Sequence, residues 1–503
     1  MLNVESHRTP EENLGIYYLQ AALATEGIES DYVDLWLEGI SSYDFIKDYD
    51  FSDVLFIGIS GCLSNVSEVQ EFIKLLSKPI PVVVGGYGGT FEYRELLKCG
   101  CDVVMIGEGD KAIIDLYNYY MGNCTKESVH NIVFIENSKV IHTKSYPVVN
   151  LNNLNNIHKR KYLKYILNSN ATVNVISSKG CYGSCSFCSI TQFYCLYKWR
   201  EMSIENIIKV LENLYIDGAR VFKFVDDSFL EANRNDEWCL KFSEAIKNSK
   251  ILKDILFRIS IRSDQVNNRR IELLASSGLF AVSCGIESGS PSFLKRVGKR
   301  ASFEDNEHAL SVFKNNKILV QAGFMLFDDR TSINELKENL RFLKKHDEII
   351  IKGIFSETYA AEGTVFGKYI KRKYGNFTYK KNGNYQYPII DTDARKVYKI
   401  LKNYQIKNSW LYDKLIDPIS APKALKSINE YYKFYDLYKI VHNLDLNFFE
   451  LVLEEYNKVT DIDKFVDTFL NQSRVFQEDI NYNLNKLYKN NNLNFTGKLS
   501  KFL

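Results

Sequence analysis

Short apolar runs that alternate with helix-length segments are the feature that most constrains the fold of this chain. Such runs, rich in valine and isoleucine, are typical of buried parallel strands. Near the N-terminus they lie at Val54–Ile59, Val82–Gly86 and Val103–Gly107, with a weaker strand-like stretch at Tyr32–Leu35. Repeated strand and helix signals of this kind predict an open α/β sheet made mainly of parallel strands.

The same alternation continues with a longer spacing between residues 171 and 366. Six strand candidates follow one another there: Thr172–Ile176, Arg220–Val225, Leu256–Ile261, Ala281–Ile286, Val320–Leu326 and Ile350–Phe355. Helices fit between them, and Ser203 and Gly218 have the residue types that begin and end one of these helices. Six βα units predict a partial (β/α)6 barrel.

The remaining segments complete an α/β protein of three parts. Residues 130–143 are expected to form a hairpin that turns at Asn137 and Ser138. The strand pattern ends after the barrel, and helical spacing replaces it. We therefore predict an N-terminal domain at 1–145, a linker at 146–170, a barrel at 171–370 and a mainly helical region at 371–503.

Bulk properties limit the classes of partner. The formal net charge is +2, so no global field favours nucleic acid. The basic, tyrosine-containing window at 368–381 is interpreted as a solvated loop beside a helix, and a nucleic-acid partner is not expected. The chain shows neither a signal peptide nor an apolar run long enough to span a bilayer. We expect a cytoplasmic protein.

Three cysteines in one glycine-containing loop carry the strongest chemical signal. Cys181, Cys185 and Cys188 follow the first barrel strand directly. Three thiolates can bind three irons of a 4Fe-4S cluster and leave the fourth iron open to another ligand. A zinc site with Cys195 as fourth ligand is the alternative, although it suits a strand–loop context poorly. A redox disulfide between Cys185 and Cys188 is a weaker alternative.

The Cys-x3-Cys-x2-Cys spacing after a strand, with Phe187 before the last cysteine, resembles the radical S-adenosylmethionine (SAM) superfamily. The resemblance implies that SAM chelates the open iron and is cleaved to methionine and a 5′-deoxyadenosyl radical. It also implies that SAM contacts the residues following successive strands: Phe187, Asp226, Asp227, Ser228, Arg262, Glu287 and Ser288.

Each implied SAM contact has a specific chemical basis and a simpler alternative. Asp226, Asp227 and Ser228 would accept hydrogen bonds from the SAM ammonium, and Arg262 would pair with its carboxylate. Glu287 and Ser288 would bind the ribose or the methionine part. The alternatives are helix capping for the aspartates, a surface ion pair for Arg262 and a turn carboxylate for Glu287. The sequence singles out no side chain that acts directly on a substrate.

Glycines follow the strands of the N-terminal domain at the edge where open α/β sheets bind ligands. Tight turns are the alternative explanation for each glycine taken singly. These segments resemble the cobalamin-binding domain that precedes many radical SAM cores, and Gly85, Gly86, Gly107 and Glu108 match its GG and GEGE-like segments. The resemblance implies that these four residues contact cobalamin.

Two features depart from the cobalamin-binding pattern. The first strand would have only Met1–Val4, and the DxHxxG sequence that supplies an axial histidine is absent. His7 lies in the corresponding loop, where we expect a solvated side chain rather than a cobalt ligand.

By resemblance, the expected activity is cobalamin-dependent C-methylation of a peptide or small natural product. An electron donor such as flavodoxin or ferredoxin would reduce the cluster. Two alternatives remain open: a cobalamin-independent epimerase or cross-linking enzyme, and a non-catalytic iron–sulfur or zinc-binding module.

Overall fold

The structure is a computed structural model that describes residues 10–76, 79–146, 150–153, 157, 159–169, 171–194, 199–351, 353–375, 383–420 and 428–493. The proposed first strand at Met1–Val4, the candidate axial ligand His7 and the alternative zinc ligand Cys195 lie outside the described residues. Most of the second half of the basic window at 368–381 also lies outside the described residues, whereas the first half of that window is helical.

The N-terminal sheet has five described strands in the order β1-β2-β3-β4-β5. They are β1 Ile57–Ser60, β2 Val82–Gly85, β3 Val103–Met105, β4 Ile132–Glu136 and β5 Lys139–His142. The first three run parallel, as predicted, and the predicted hairpin forms β4 and β5. Asn137 and Ser138 turn it with φ of 47° and 62°. The hairpin pairs antiparallel with β3, so the sheet is mixed.

Helices cover both faces of this sheet: α1 Leu14–Thr25, α2 Leu35–Glu38, α3 Ser42–Asp48, α4 Val66–Leu75, α5 Gly86–Lys98 and α6 Ala112–Tyr120. The strand expected at Tyr32–Leu35 is wrong. The Asp34 carboxylate accepts hydrogen bonds from the backbone N–H groups of Trp36 and Leu37, both 3.1 Å away. This cap begins α2 at Leu35 and ends the extended stretch.

The second sheet is the barrel wall. The chain forms β6 Val173–Val175, β7 Ser178–Gly180, β8 Trp199–Glu201, β9 Val221–Phe224, β10 Leu256–Arg262, β11 Leu279–Glu287 and β12 Leu319–Phe324. The parallel wall has the order β6-β9-β10-β11-β12, and β7 and β8 form a separate hairpin. Five of the six predicted barrel strands are therefore confirmed.

The barrel helices are α7 Leu163–Asn168, α8 Ile190–Phe193, α9 Ile204–Ile216, α10 Asp236–Asn248, α11 Asn268–Ala275, α12 Pro291–Arg296, α13 Phe303–Asn315 and α14 Ile333–Lys345. Ser203 caps α9, and Gly218 follows it with φ of 112°. Helix α7 lies inside the segment predicted as a linker. The Tyr162 ring, just before it, packs edge-on against Tyr32 at 5.3 Å, which docks this segment onto the N-terminal domain.

The C-terminal region is mainly helical, as predicted, with α15 Val365–Tyr374, α16 Thr392–Ser420, α17 Ile428–Glu455, α18 Ile462–Gln472 and α19 Arg474–Asn490. Aromatic packing holds these helices together, for example between Tyr404 and Phe448, whose rings stack at 4.2 Å. Of the helices that the structure describes, none has the length and apolar character that crossing a membrane requires.

The sixth barrel strand, expected at Ile350–Phe355, is wrong as a continuous strand. Ile350 makes an isolated parallel bridge to Gln321, and Glu357 makes another to Phe327. Between these bridges Gly353 adopts φ of 81°, a left-handed conformation that an extended strand does not contain. The N–H of Ile351 donates to the Tyr438 hydroxyl of α17 at 2.7 Å instead of to a neighbouring strand.

Candidate active site

The three predicted cluster ligands lie in one anchored loop that follows β7. Gly183 donates its N–H to the Cys181 Sγ at 3.2 Å, and a Cβ on Gly183 would lie only 3.2 Å from that sulfur. The backbone of Ser186 is held on both sides, by the Val297 carbonyl at 2.8 Å and the Phe366 N–H at 2.7 Å. The loop is therefore a fixed cradle with its thiols close together.

Burial sets the protonation of these thiols. It raises the pKa of Cys181 to about 11 and that of Cys188 to about 12, and the pKa of Cys185 is raised as well. Soft thiol donors of this kind suit an iron–sulfur cluster, which displaces their protons on binding.

Arg262 ends β10 and points at the cysteine loop. Its Nη1 lies 3.9 Å from the Cys181 Sγ and 3.5 Å from Glu231, and its Nε donates to Asp264 at 2.9 Å. The guanidinium is thus oriented by two carboxylates. Its contact with a SAM carboxylate stays a prediction. Glu231 was missed, since it follows β9 by several residues and no spacing pattern marks it.

Asp226 and Ser228 are occupied by the protein itself. The buried Asp226 carboxylate accepts the Ser177 N–H at 2.7 Å and the Ser178 hydroxyl at 2.8 Å, with Arg234 Nη1 at 3.6 Å. The Ser228 hydroxyl donates to the Leu230 carbonyl. These partners favour a role in supporting the loop, and direct contact of either residue with SAM stays a prediction.

Asp227 is the aspartate that borders the cysteine loop. Its carboxylate accepts the Gly180 N–H at 2.8 Å and the Tyr194 hydroxyl. Burial raises the pKa of Asp227 to about 6, with repulsion from Asp226 adding to the effect. A group that titrates near neutrality beside three thiols is consistent with its predicted place in the site.

The two residues that end β11 point in different directions. Glu287 has φ of 66°, a strained backbone conformation for this residue, and its carboxylate pairs with Lys299 at 3.2 Å. Ser288 is fully buried and donates to Asn339 at 2.8 Å. Glu287 therefore remains a candidate SAM contact. For Ser288 that contact stays a prediction, one that would need its present hydrogen bond to break.

Phe187 lies between two apolar clusters. One contains Phe293, Val297 and Met325, and the other contains Phe366 of α15. The side chain therefore packs the cysteine loop against the barrel, in the position from which it is predicted to contact SAM.

The glycines of the N-terminal sheet allow neighbouring parts of its own backbone to pack closely. Gly85 ends β2, and Gly86 has φ of 81°. A Cβ on Gly86 would lie 2.6 Å from the Gly61 carbonyl oxygen of the neighbouring loop. This supports the tight-turn explanation for Gly86. Gly107, with φ of 69°, instead faces the carbonyl of Phe193 across the domain boundary.

The carboxyl edges of the two sheets meet at an aromatic and ionic contact. The Tyr87 ring, after β2, stacks on Phe193 at 4.3 Å and 20°. Glu108, after β3, pairs with Lys179 at 3.0 Å and with Arg200 at 2.8 Å. Burial alone would raise the pKa of Glu108, but these two cations hold it below its usual range. Glu108 thus joins the domains, and its contact with cobalamin stays a prediction.

Two family profiles match the chain in this arrangement. The radical SAM superfamily matches residues 175–343, and the B12 binding domain matches residues 2–116. The chain is a radical SAM protein with an N-terminal B12-binding domain. Both resemblances drawn from the sequence are confirmed.

Relatives of this radical SAM protein include an uncharacterized methyltransferase of Pyrococcus horikoshii, 27% identical over 66% of this chain and 73% of that protein. The 4′-phospho-dehydrooxetanocin synthase of Priestia megaterium is 26% identical over 69% of this chain, which spans half of the synthase. The structure of the cobalamin-dependent radical enzyme OxsB with aqua-cobalamin bound has a TM-score of 0.79 at 17% identity, covering 98% of this chain and 79% of that one. This last likeness establishes the fold.

The residues present fit the cofactors of this family. The cysteine loop supplies three soft donors for a 4Fe-4S cluster, and Arg262, Asp227 and Glu287 supply charged groups near it for SAM. A glycine-lined backbone edge and the ring faces of Tyr87 and Phe193 suit a large, flat, amide-bearing ring such as cobalamin.

Proposed function

We propose that this radical SAM protein is a cobalamin-dependent methyltransferase that acts on a small molecule or peptide. The observation that carries the proposal is the meeting of the two carboxyl edges at Tyr87 and Phe193. This contact brings the cobalamin-binding edge next to the loop of Cys181, Cys185 and Cys188. When bound, the cluster with SAM supplies a 5′-deoxyadenosyl radical, and methylcobalamin supplies the methyl group.

The chain's own residues hold and shield these cofactors. The anchored cysteine loop fixes the cluster, and Arg262 keeps a positive charge beside it. The Glu108 ion pairs fix the distance between the two domains. Phe187 and its apolar neighbours exclude water from one side of the site. Positioning and water exclusion are the usual contributions of a protein to cofactor chemistry.

An external reductant is part of the proposal, because the cluster must be reduced before SAM is cleaved. A small electron carrier such as flavodoxin or ferredoxin fits this need. The division into residues 1–145, 146–170, 171–370 and 371–503 is proposed with one refinement, since α7 in the second segment docks on the first.

The test is anaerobic reconstitution with iron, sulfide and cobalamin, followed by addition of SAM and a strong reductant. We expect 5′-deoxyadenosine in the reaction and a cobalamin spectrum that persists after gel filtration. With extracts of the source cells, we expect a product heavier by one CH2 group.

The Cys181→Ala variant is the matched control, and it should retain cobalamin but form no 5′-deoxyadenosine. Loss of cobalamin from the wild-type protein would contradict methyl transfer. A reconstituted cluster that yields no 5′-deoxyadenosine would contradict the radical chemistry. Deuterium incorporation from heavy water without added mass of a methyl group would indicate the epimerase alternative.

A further inference from the structure

One face of the barrel wall carries several polar side chains. Along β10 the side chains of Phe257, Ile259 and Ile261 are buried in the core. Their neighbours face the other way, as the two-residue period of a strand requires. The same alternation on β9, β11 and β12 leaves Lys223, Ser283 and Gln321 partly exposed, whereas the residues beside them are buried. The face of the wall opposite this core therefore mixes polar and apolar side chains.

Arg258 lies in this wall with no carboxylate partner. It is 9% exposed, and its Nη2 donates to Ser283 at 2.9 Å and to Gln321 at 2.7 Å. Across the described parts of the chain, no other acceptor bonds to the guanidinium and no carboxylate forms an ion pair with it. Arg258 lines a small cavity together with Gln321 and with apolar side chains that include Leu319, Ile350 and Ile419.

The charges around Arg258 do not neutralise it. Glu11 exerts an electrostatic effect on it without forming an ion pair, and both Glu11 oxygens already bond to Lys223, at 2.8 and 2.9 Å. Lys223 is the direct neighbour of Arg258 in the β9–β10 pairing. Tyr431 of α17 is also nearby. Buried cations are normally paired with an anion, because an uncompensated charge in the protein interior is unfavourable.

Arg258 lies on the same strand as Arg262, the residue that borders the cysteine loop. Arg258 and Arg262 are four residues apart on β10, so they face the same side at a separation of about 13 Å. Arg262 lies 3.9 Å from the Cys181 sulfur. A group bound at Arg258 is thus inside the barrel, about the length of a small metabolite from the cysteine loop.

We propose that Arg258 binds an oxyanion of the substrate, a phosphate or a carboxylate, and so selects anionic small molecules. This proposal rests on the proposed function, since it assigns the substrate class of the same barrel. The free guanidinium N–H groups supply the charge-assisted hydrogen bonds that oxyanions accept. Lys223, shared with the exposed Glu11, adds positive charge beside the site.

The experiment uses the reconstituted full chain and measures Tm and binding heat with inorganic phosphate or succinate, against sodium chloride of equal ionic strength. We expect at least one of the two anions to raise the Tm of the wild-type protein. Arg258→Met should weaken that binding at least tenfold, and Arg258→Lys should weaken it less. Arg269→Met, which removes an exposed arginine from α11, is the matched control and should bind within twofold of wild type.

The Tm without added anion separates binding from a structural role. If Arg258 exists to bind a ligand, Arg258→Met removes an uncompensated buried charge, so its Tm equals or exceeds that of wild type. A large loss of Tm in both Arg258→Met and Arg258→Lys would assign a structural role and overturn the proposal. An equal anion response in wild type and Arg258→Met, or no response in wild type, would overturn it as well.

The type of anion that binds identifies the substrate group. A response to phosphate alone indicates a phosphate ester, and a response to succinate alone indicates a carboxylate. Formation of 5′-deoxyadenosine by the wild-type protein is measured in parallel. Its absence would contradict the radical chemistry without bearing on the anion result.

Discussion

The two parallel sheets of this protein end in edges of opposite character. The N-terminal edge contains several glycines, so much of its surface is backbone, and the charge of Glu108 on it is neutralised by the other domain. The barrel edge carries Asp227, Arg262 and Glu287, each held by a specific partner. The same strand connectivity thus supports two different surfaces, and the residues after each strand decide what the edge binds.

The two edges are therefore suited to different kinds of ligand. A glycine-containing edge can lie close to a large flat ring, whereas a charged edge can orient a small zwitterion such as SAM. Testing this difference therefore requires different substitutions at the two edges. Their effects should differ in size and in the property that changes.

Removal of a cluster thiol should have the largest effect. Cys181→Ala leaves two thiols in the loop, so we expect the cluster absorbance to be lost and 5′-deoxyadenosine formation to fall to background. Cys62→Ala removes an exposed thiol that follows β1 at the other edge and should leave both signals intact. Equal loss in the two variants would show that the edges are not functionally distinct.

A side chain on the backbone edge should cause the next largest effect. Gly86→Ala places a Cβ 2.6 Å from the Gly61 carbonyl in a left-handed conformation, so we expect a loss of about 3 kcal/mol in stability. Gly58→Ala is the control, since its Cβ would meet no atom within 4 Å. Its stability should change by less than about 0.5 kcal/mol in denaturant unfolding. If both variants unfold alike, close backbone packing is not what the edge requires.

The carboxylates of the two edges should give opposite pH responses in the metal-free protein. The raised pKa of Asp227 contributes stability that is present below its ordinary value of 3.8 and is lost as pH rises through about 6. Asp227→Asn should remove that decline, which is at most about 3 kcal/mol. The lowered pKa of Glu108 contributes stability present above 4.5 and lost as pH falls, and Glu108→Gln should remove this acid-side loss.

Tm measured from pH 4 to 8 checks both variants against wild type. Parallel pH curves for the two variants would contradict the assigned difference between the edges.

The contact between the edges should have the smallest effect. A double-mutant cycle with Tyr87→Ala and Phe193→Ala should give a coupling of about 1 kcal/mol, as expected for a stacked aromatic pair. Each single variant also loses buried area, so only the coupling reports the stack. A coupling near zero would mean that the stacked pair adds nothing to the contact that the Glu108 ion pairs make between the domains.

Local patterns in the sequence predicted most of the fold. The runs of β-branched residues predicted both sheets, and the residues Asn137 and Ser138 predicted the hairpin turn. Both predictions succeeded because these signals depend on only a few neighbouring residues. The expected strands at Tyr32–Leu35 and Ile350–Phe355 failed where one residue, Asp34 or Gly353, overrode the pattern.

The site was predictable where chemistry depends on spacing, as in the cysteine loop. It was less predictable where a side chain's function depends on distant partners. Arg234 and Lys299 were missed, although each pairs with a residue that was singled out. Neither Arg234 nor Lys299 lies in a recognisable motif, so only the folded arrangement reveals the pairs. Arg258 likewise matches no motif in the sequence, because its hydrogen-bond partners lie on the neighbouring strands β11 and β12.

The interrupted sixth strand determines what covers the last strand of the barrel wall. The outer side of β12 is covered by the 350–358 segment through hydrogen bonds at Val320, Ala322 and Phe327. Helix α17 holds that segment in turn through Tyr438. A chain cut before α17 would release this cover and offer the β12 backbone to other molecules. The C-terminal helices therefore keep the last edge of the barrel wall from being left without hydrogen-bond partners.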